Sequence, residues 1–180
     1  MSDEPVADQL HNDAKPPVVQ RGLWFDEVEV GVTYLHRPGR TMTEMDNVLF
    51  STLTMNPQSL HLDAAWSAHQ PGFEGKVLMN SLHTLATMVG MSVAHISRGT
   101  TVANLGFRDV TFPAPVFHGD TLYAQTVCLA KRLSASRPGQ GIVTLEHVAE
   151  NQEGIVVARA VRSVMMRTRP QGAGVEQGRD

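Results

Sequence analysis

The chain has 180 residues, 42% of them hydrophobic and 18% charged, which is the composition of one ordinary globular domain. A net charge of −3 with no run of lysines or arginines excludes a general attraction to nucleic acid. The single cysteine, Cys128, excludes an intramolecular disulfide and a cysteine-based metal site and fits a reducing cytoplasm. No apolar run reaches the roughly eighteen residues of a membrane helix, because the longest is interrupted by Asn80, Ser81, His83, Thr84 and His95.

In chain order, residues 1–20 carry Asp3, Glu4, Asp8, Asp13 and Pro16-Pro17 without a basic start or apolar core, so they read as a disordered leader and not a signal peptide. Residues 33–42 read as a strand interrupted by the turn Arg37-Pro38-Gly39. Thr43 with Asp46 three residues on forms a variant capping box, and Met45, Val48, Leu49, Thr52 and Met55 then recur at helical spacing until Pro57. Residues 56–63, Asn-Pro-Gln-Ser-Leu-His-Leu-Asp, therefore sit on a loop, and Asp63 caps a short helix that ends before Pro71-Gly72.

From Asn80, a good cap, to about Ser97, the positions Leu82, Leu85, Ala86, Val89, Val93 and Ile96 form one helical stripe. Met88, Met91 and Ala94 make the opposite face apolar as well, so the helix is expected to be enclosed, with Gly99 as its stop. Three β-rich segments follow, 101–112, 120–136 and 141–168, the last broken by Asn151-Gln152-Glu153-Gly154; with the turn Ser136 to Gly141 they predict antiparallel hairpins. Residues 170–180 read as a disordered tail. The periodicities carry the fold class as far as α+β, in one domain over 21–169.

The octapeptide 56–63, followed by Gly75-Lys76-Val77-Leu78-Met79-Asn80-Ser81-Leu82, resembles the MaoC-like, R-specific enoyl-CoA hydratases, whose signature reads roughly Asp-x-Asn-Pro-x-His-x-Asp. Thr54 to Gln58, Ala103-Asn104-Leu105-Gly106, Pro115 to Leu122 and Ser136 to Gly139 are similar to a subgroup related to mesaconyl-CoA hydratase. The resemblance implies a hotdog fold, a curved antiparallel sheet wrapped around a long central helix. It also implies homodimers or larger assemblies with an acyl-CoA thioester between subunits, and no cofactor and no metal. The substrates it implies are short, branched or dicarboxylic enoyl-CoA esters.

Hydration of a double bond conjugated to a thioester requires a group that activates water, an acid for the α-carbon and donors for the enolate oxygen. By the resemblance His61 falls on the family's histidine, whereas Asn56, Gln58 and Ser59 replace its aspartate, asparagine and proline. An amide cannot accept a proton at neutral pH. Two alternatives stay open: His61 performs the transfers with Asn56 orienting the water, or a carboxylate from Asp63, Glu74, Asp46 or Glu44 fills the gap. The start of the central helix at Asn80 and Ser81 offers N–H groups for an oxyanion, with Gln58 and Asp63 as further substrate-binding candidates. Arg40, Lys76, Arg108 and Arg137 are candidate contacts for CoA or a substrate carboxylate. His83, His95 and the His118-Gly119-Asp120 turn read as structural, and Met45, Met55, Met79, Met88 and Met91 as core or acyl-tunnel residues. A hotdog thioesterase and a non-catalytic acyl-CoA-binding subunit are the competing readings.

Overall fold

The computed structural model describes residues 18–73 and 75–170, and residues 21–169 form one compact unit. The expectations for residues 1–17, Glu74 and 171–180 lie outside the described residues. The strands are β1 (Thr33–Thr41), β2 (Thr101–Thr111), β3 (Thr121–Leu133), β4 (Gln140–Glu150) and β5 (Val156–Arg167). They pair antiparallel in the order β1-β3-β4-β5-β2. Four α-helices, α1 (Glu44–Leu53), α2 (Ser59–Leu62), α3 (Ala64–Ser67) and α4 (Ser81–Ser92), lie between β1 and β2 in the chain. The result is the expected hotdog layout, a curved sheet with α4 at its centre.

The two hairpins of β3-β4-β5 form because their residues alternate: Leu122, Ala124, Thr126 and Cys128 are buried, with partly exposed residues between them. β2 does not pair with β3, the next strand in the chain, but with β5 on the far edge. β1 is one continuous strand, and the predicted interruption at Arg37-Pro38-Gly39 is a bulge within it. His36 pairs with Ala124 and Arg40 with Leu122, so Arg37, Pro38 and Gly39 bulge opposite Tyr123. A side chain at Gly39 would stand 2.6 Å from the Tyr123 ring and 3.0 Å from the Leu122 carbonyl, which is why the bulge can lie close to β3.

The inner face of the sheet carries two apolar clusters. One joins Met88 of α4 to Leu122, Ala124, Ala149, Ala158 and Ala160; the other joins Ile96 to Cys128, Val143, Leu145, Val164 and Met166. Between them each central strand places one polar residue: Thr126 on β3, His147 on β4 and Arg162 on β5, all buried. His36 Nε2 lies 2.7 Å and His147 Nδ1 2.8 Å from the Thr126 hydroxyl, and Arg162 Nε donates to Asn104 Oδ1 at 3.1 Å. A diagonal polar layer thus crosses all five strands. His147 Nε2 and Arg162 Nη1 are buried and have no hydrogen-bond partner among the described residues.

The helices depart from expectation in how they face. The capping box at the start of α1 is present: Asp46 N–H donates to Thr43 Oγ1 at 3.2 Å, and Thr43 N–H to Asp46 Oδ2 at 2.9 Å. Yet the buried residues of α1 are Asn47 and Ser51, while Met45, Val48, Leu49 and Met55 are exposed. The apolar stripe of α1 faces outward. α4 likewise buries Thr84, Met88 and Ser92 but leaves Leu82 and Ala86 exposed, so the single chain encloses one face of it and not both. The helical run ends at Ser97 as predicted, but its last turn is not α-helix. After Ser92 a turn of π-helix, Val93–Ser97, closes with Arg98 N–H donating to the Val93 carbonyl at 2.8 Å, and Gly99 follows at φ +74°.

Candidate functional site

The segment 54–63 begins where α1 ends. Met55, non-glycine and at φ 55°, takes the left-handed conformation that reverses the chain. Asn56 N–H then donates back to the Ser51 carbonyl at 2.8 Å, and Asn56 Oδ1 accepts the Gln58 N–H at 3.1 Å, closing an Asx turn. The turn leads into α2, so His61 sits on a short helix and not on the predicted loop. The cause is local: the Gln58 carbonyl accepts the His61 N–H at 3.0 Å and the Ser59 carbonyl the Asp63 N–H at 2.8 Å.

His61 is buried, and its Nδ1 lies 3.0 Å from the Leu78 carbonyl oxygen. A carbonyl only accepts, so Nδ1 carries the proton and the lone pair of the neutral ring is on Nε2. Leu78 N–H in turn donates to the Leu60 carbonyl at 3.2 Å. These reciprocal bonds tie α2 to the segment that enters α4. There Asn80 caps the helix, accepting the Leu82 N–H on Oδ1 at 3.0 Å, and the Ser81 N–H has no acceptor among the described residues.

Leu78, Met79, Ser81, Thr84, Val116 and Val157 are among the residues that line a cavity of about 270 Å³. Leu78 belongs both to this cavity and to the hydrogen bond that orients His61. The structure thereby gathers His61, Asn80 and Ser81 around one residue, next to an apolar space of small-ligand size.

Other predicted residues are engaged elsewhere. Asp63 caps α3 by accepting the Trp66 N–H at 2.8 Å. Asp46 holds the start of α1 and pairs with Arg40 at 2.8 Å, and the Thr43 bonds and Arg40 charge outweigh burial to keep its carboxyl below the usual range. Arg108 pairs with its neighbour Asp109 at 2.5 Å, Lys76 lies over the Phe117 ring at 5.6 Å, and Arg137 Nη1 approaches Met165 Sδ at 4.0 Å. Met79 and Met88 are core residues, whereas Met45 and Met55 are exposed. His83 packs against Phe50 with ring centres 5.0 Å apart. Asp120 satisfies the Phe117 N–H at 2.8 Å, as the turn reading required.

One residue at the centre of this geometry carries no motif. Asn47, fully buried in α1, donates from Nδ2 to the His61 and Leu78 carbonyls, both at 3.0 Å, and accepts the Asn80 N–H on Oδ1 at 2.8 Å. His118 Nε2 lies 3.1 Å from the same Nδ2. Burial holds the His118 imidazole below its ordinary pKa, with Glu44 opposing the shift. A polar side chain on the inward face of an amphipathic helix was the available signal, and the outward-facing stripe masked it.

The model of the MaoC like domain matches residues 26–151. The chain is 31% identical over 153 residues to a β-methylmalyl-CoA dehydratase of Chloroflexus aurantiacus, covering 84% of this chain and 42% of that protein. It is 29% identical over 152 residues to a mesaconyl-CoA hydratase of Cereibacter sphaeroides, covering 84% and 43%. It thus spans less than half the length of these curated relatives. Among solved structures, a MaoC domain dehydratase from C. aurantiacus superposes with a TM-score of 0.75 at 28% identity, over 90% of this chain and 45% of that one. A Mycobacterium tuberculosis protein described as having a double hotdog fold superposes at 0.73 with 24% identity, over 86% and 47%, which shows the fold. With its hotdog sheet and a family match over most of its length, this chain belongs to the MaoC-like domain family.

Proposed function

We propose that the protein is a hydro-lyase that adds or removes water across the α,β double bond of a short branched or dicarboxylic enoyl-CoA thioester. The observation that carries the reading is the single-tautomer His61, held by the Leu78 carbonyl two residues before the α4 cap at Asn80. In hydration, His61 Nε2 takes a proton from water as the water oxygen bonds to the β-carbon. The π electrons pass to the thioester oxygen, where the Ser81 N–H and the N-terminal end of α4 stabilise the enolate. The imidazolium returns its proton to the α-carbon. Asn56 serves through its NH₂ group, since its oxygen is already used by Gln58; a donor on one lone pair of the water leaves the other free to attack. Because the thioester carbonyl is itself the electron sink, we propose no cofactor.

The acyl class rests on the two relatives, named for β-methylmalyl-CoA and mesaconyl-CoA. We propose a homodimer in the cytoplasm. The edge strand β2 leaves Leu105, Phe107 and Val110 partly exposed, α4 and the π-turn after it leave Leu82 and Val93 so, and the matched relatives are more than twice as long as the aligned region. Among the described residues no helix is long and apolar enough to cross a membrane.

The test is incubation with crotonyl-CoA and mesaconyl-CoA, following the conjugated absorbance and free thiol together. Loss of absorbance without thiol, reduced about 100-fold or more in His61→Ala, is the expected result. Thiol release would make the protein a thioesterase, and saturable binding without turnover an acyl-CoA-binding subunit.

A further inference from the structure

We infer that Asn47 is a positioning residue for this chemistry, coupling the orientation of His61 to the helix start that receives the enolate; the inference rests on the reading above. The amide can sit only one way round. Its backbone neighbours are one donor, the Asn80 N–H, and two acceptors, the carbonyls of His61 and Leu78. Reversing Oδ1 and Nδ2 would set N–H against N–H and oxygen against two carbonyl oxygens, so the geometry itself assigns the atoms.

The consequence for His61 is indirect and specific. Leu78 O accepts twice, from Asn47 Nδ2 and from His61 Nδ1, each at 3.0 Å. Asn47 therefore fixes the direction in which that carbonyl can receive the imidazole N–H, and through the His61 carbonyl it also fixes the backbone that carries the ring. Its oxygen holds the backbone N–H of the very residue that caps α4. With the His61–Leu78 and Leu78–Leu60 bonds, this buried side chain sets the distance between the proton-transfer group and the oxyanion end of the helix, which lie on different segments of the chain. The neighbouring His118 Nε2 faces a nitrogen with two protons and three acceptors around it, so the neutral His118 ring carries its proton on Nδ1.

The experiment compares wild type with Asn47→Asp and Asn47→Ser. Aspartate is the same size and keeps the acceptor for the Asn80 N–H, but it turns two attractive contacts into repulsions between oxygens. In the folded variants kcat for hydration of the enoyl-CoA ester should fall about 10- to 100-fold, with KM changed far less, because substrate contacts remain while the reacting groups are misaligned. Nitrogen-15 NMR of labelled histidine should show His61 as the Nδ1–H tautomer in wild type and as a mixture of tautomers in the variants. In wild type the two Asn47 amide protons should exchange slowly with solvent. Fast exchange of those protons, an Nε2–H tautomer of His61, or folded variants with unchanged tautomer and kcat would each overturn the proposal. The NMR readouts need no turnover, so a chain that proves inactive on enoyl-CoA would sink the hydratase reading while leaving the coupling of Asn47 to His61 testable by itself.

Discussion

Around Asn47 every polar atom of the amide has a partner, whereas in the diagonal layer of the sheet His147 Nε2 and Arg162 Nη1 have none among the described residues. Both groups are buried to a similar depth, so burial alone does not decide what a polar residue contributes. A saturated hub is costly to lose, because deleting it strands the groups it served; an undersatisfied one already bears the desolvation cost, and removing it relieves part of that cost.

The largest effect should come from breaking the saturated side. Asn47→Leu leaves the Asn80 N–H and the His61 carbonyl buried without partners, and each such loss is worth about 1–3 kcal/mol. Equilibrium denaturation should report a loss of about 3 kcal/mol, with the denaturant midpoint moving and the slope preserved. A loss below about 1 kcal/mol would mean that water replaces the amide and that the hub is no more special than the layer.

The second effect concerns the layer and is read with pH. Burial first, then the charges of His95 and Arg37, lowers His36 to about 4. Burial first, then Arg162 and His36, lowers His147 to about 3. With folded values below the ordinary 6.5, the unfolded chain binds these protons first. Stability is therefore full above about pH 6.5 and falls as pH drops toward the folded values, by about 1 kcal/mol per histidine over the first unit. Thermal melts from pH 7.5 to 5 should show this decline, and His147→Met should flatten it. A His147→Met profile as steep as wild type would place the acid sensitivity elsewhere.

What could be read in advance follows the same division between local and non-local causes. The hairpins 121–150 and 140–167 were legible because alternation and turn residues act within a few positions. The caps Thr43, Asp63 and Asn80 were legible for the same reason, and all three accept the N–H groups expected of them. The place of β2 beside β5 was not, since nothing in residues 101–111 names their partner. The facing of α1 was not legible either: its apolar stripe, Met45, Val48 and Leu49, is left for solvent or another surface while Asn47 turns inward. At the site, His61 and the α4 start stood out by motif and cap. Asn47 did not, because its role exists only once three distant backbone groups meet around it.

The smallest effect expected is also the most diagnostic of the layer. Arg162 is buried, with burial pulling down its pKa, and no carboxylate lies within ion-pair reach of it among the described residues. Its one side-chain hydrogen bond among the described residues is to the Asn104 oxygen through Nε. Arg162→Met fills similar volume between the two apolar clusters and removes an uncompensated charge, at the expense of leaving Asn104 without its donor. These terms oppose each other, so the variant should lie within about 1 kcal/mol of wild type, on either side. A loss above about 3 kcal/mol would reverse the comparison: it would mean that Arg162 is paired in the working assembly, and the edge strand β2, which carries Asn104, is where a second copy could supply the missing acceptor. Repeating the measurement over a range of protein concentrations separates the cases, because a partner from another subunit makes the cost of Arg162→Met grow with concentration, whereas an intrachain effect stays constant.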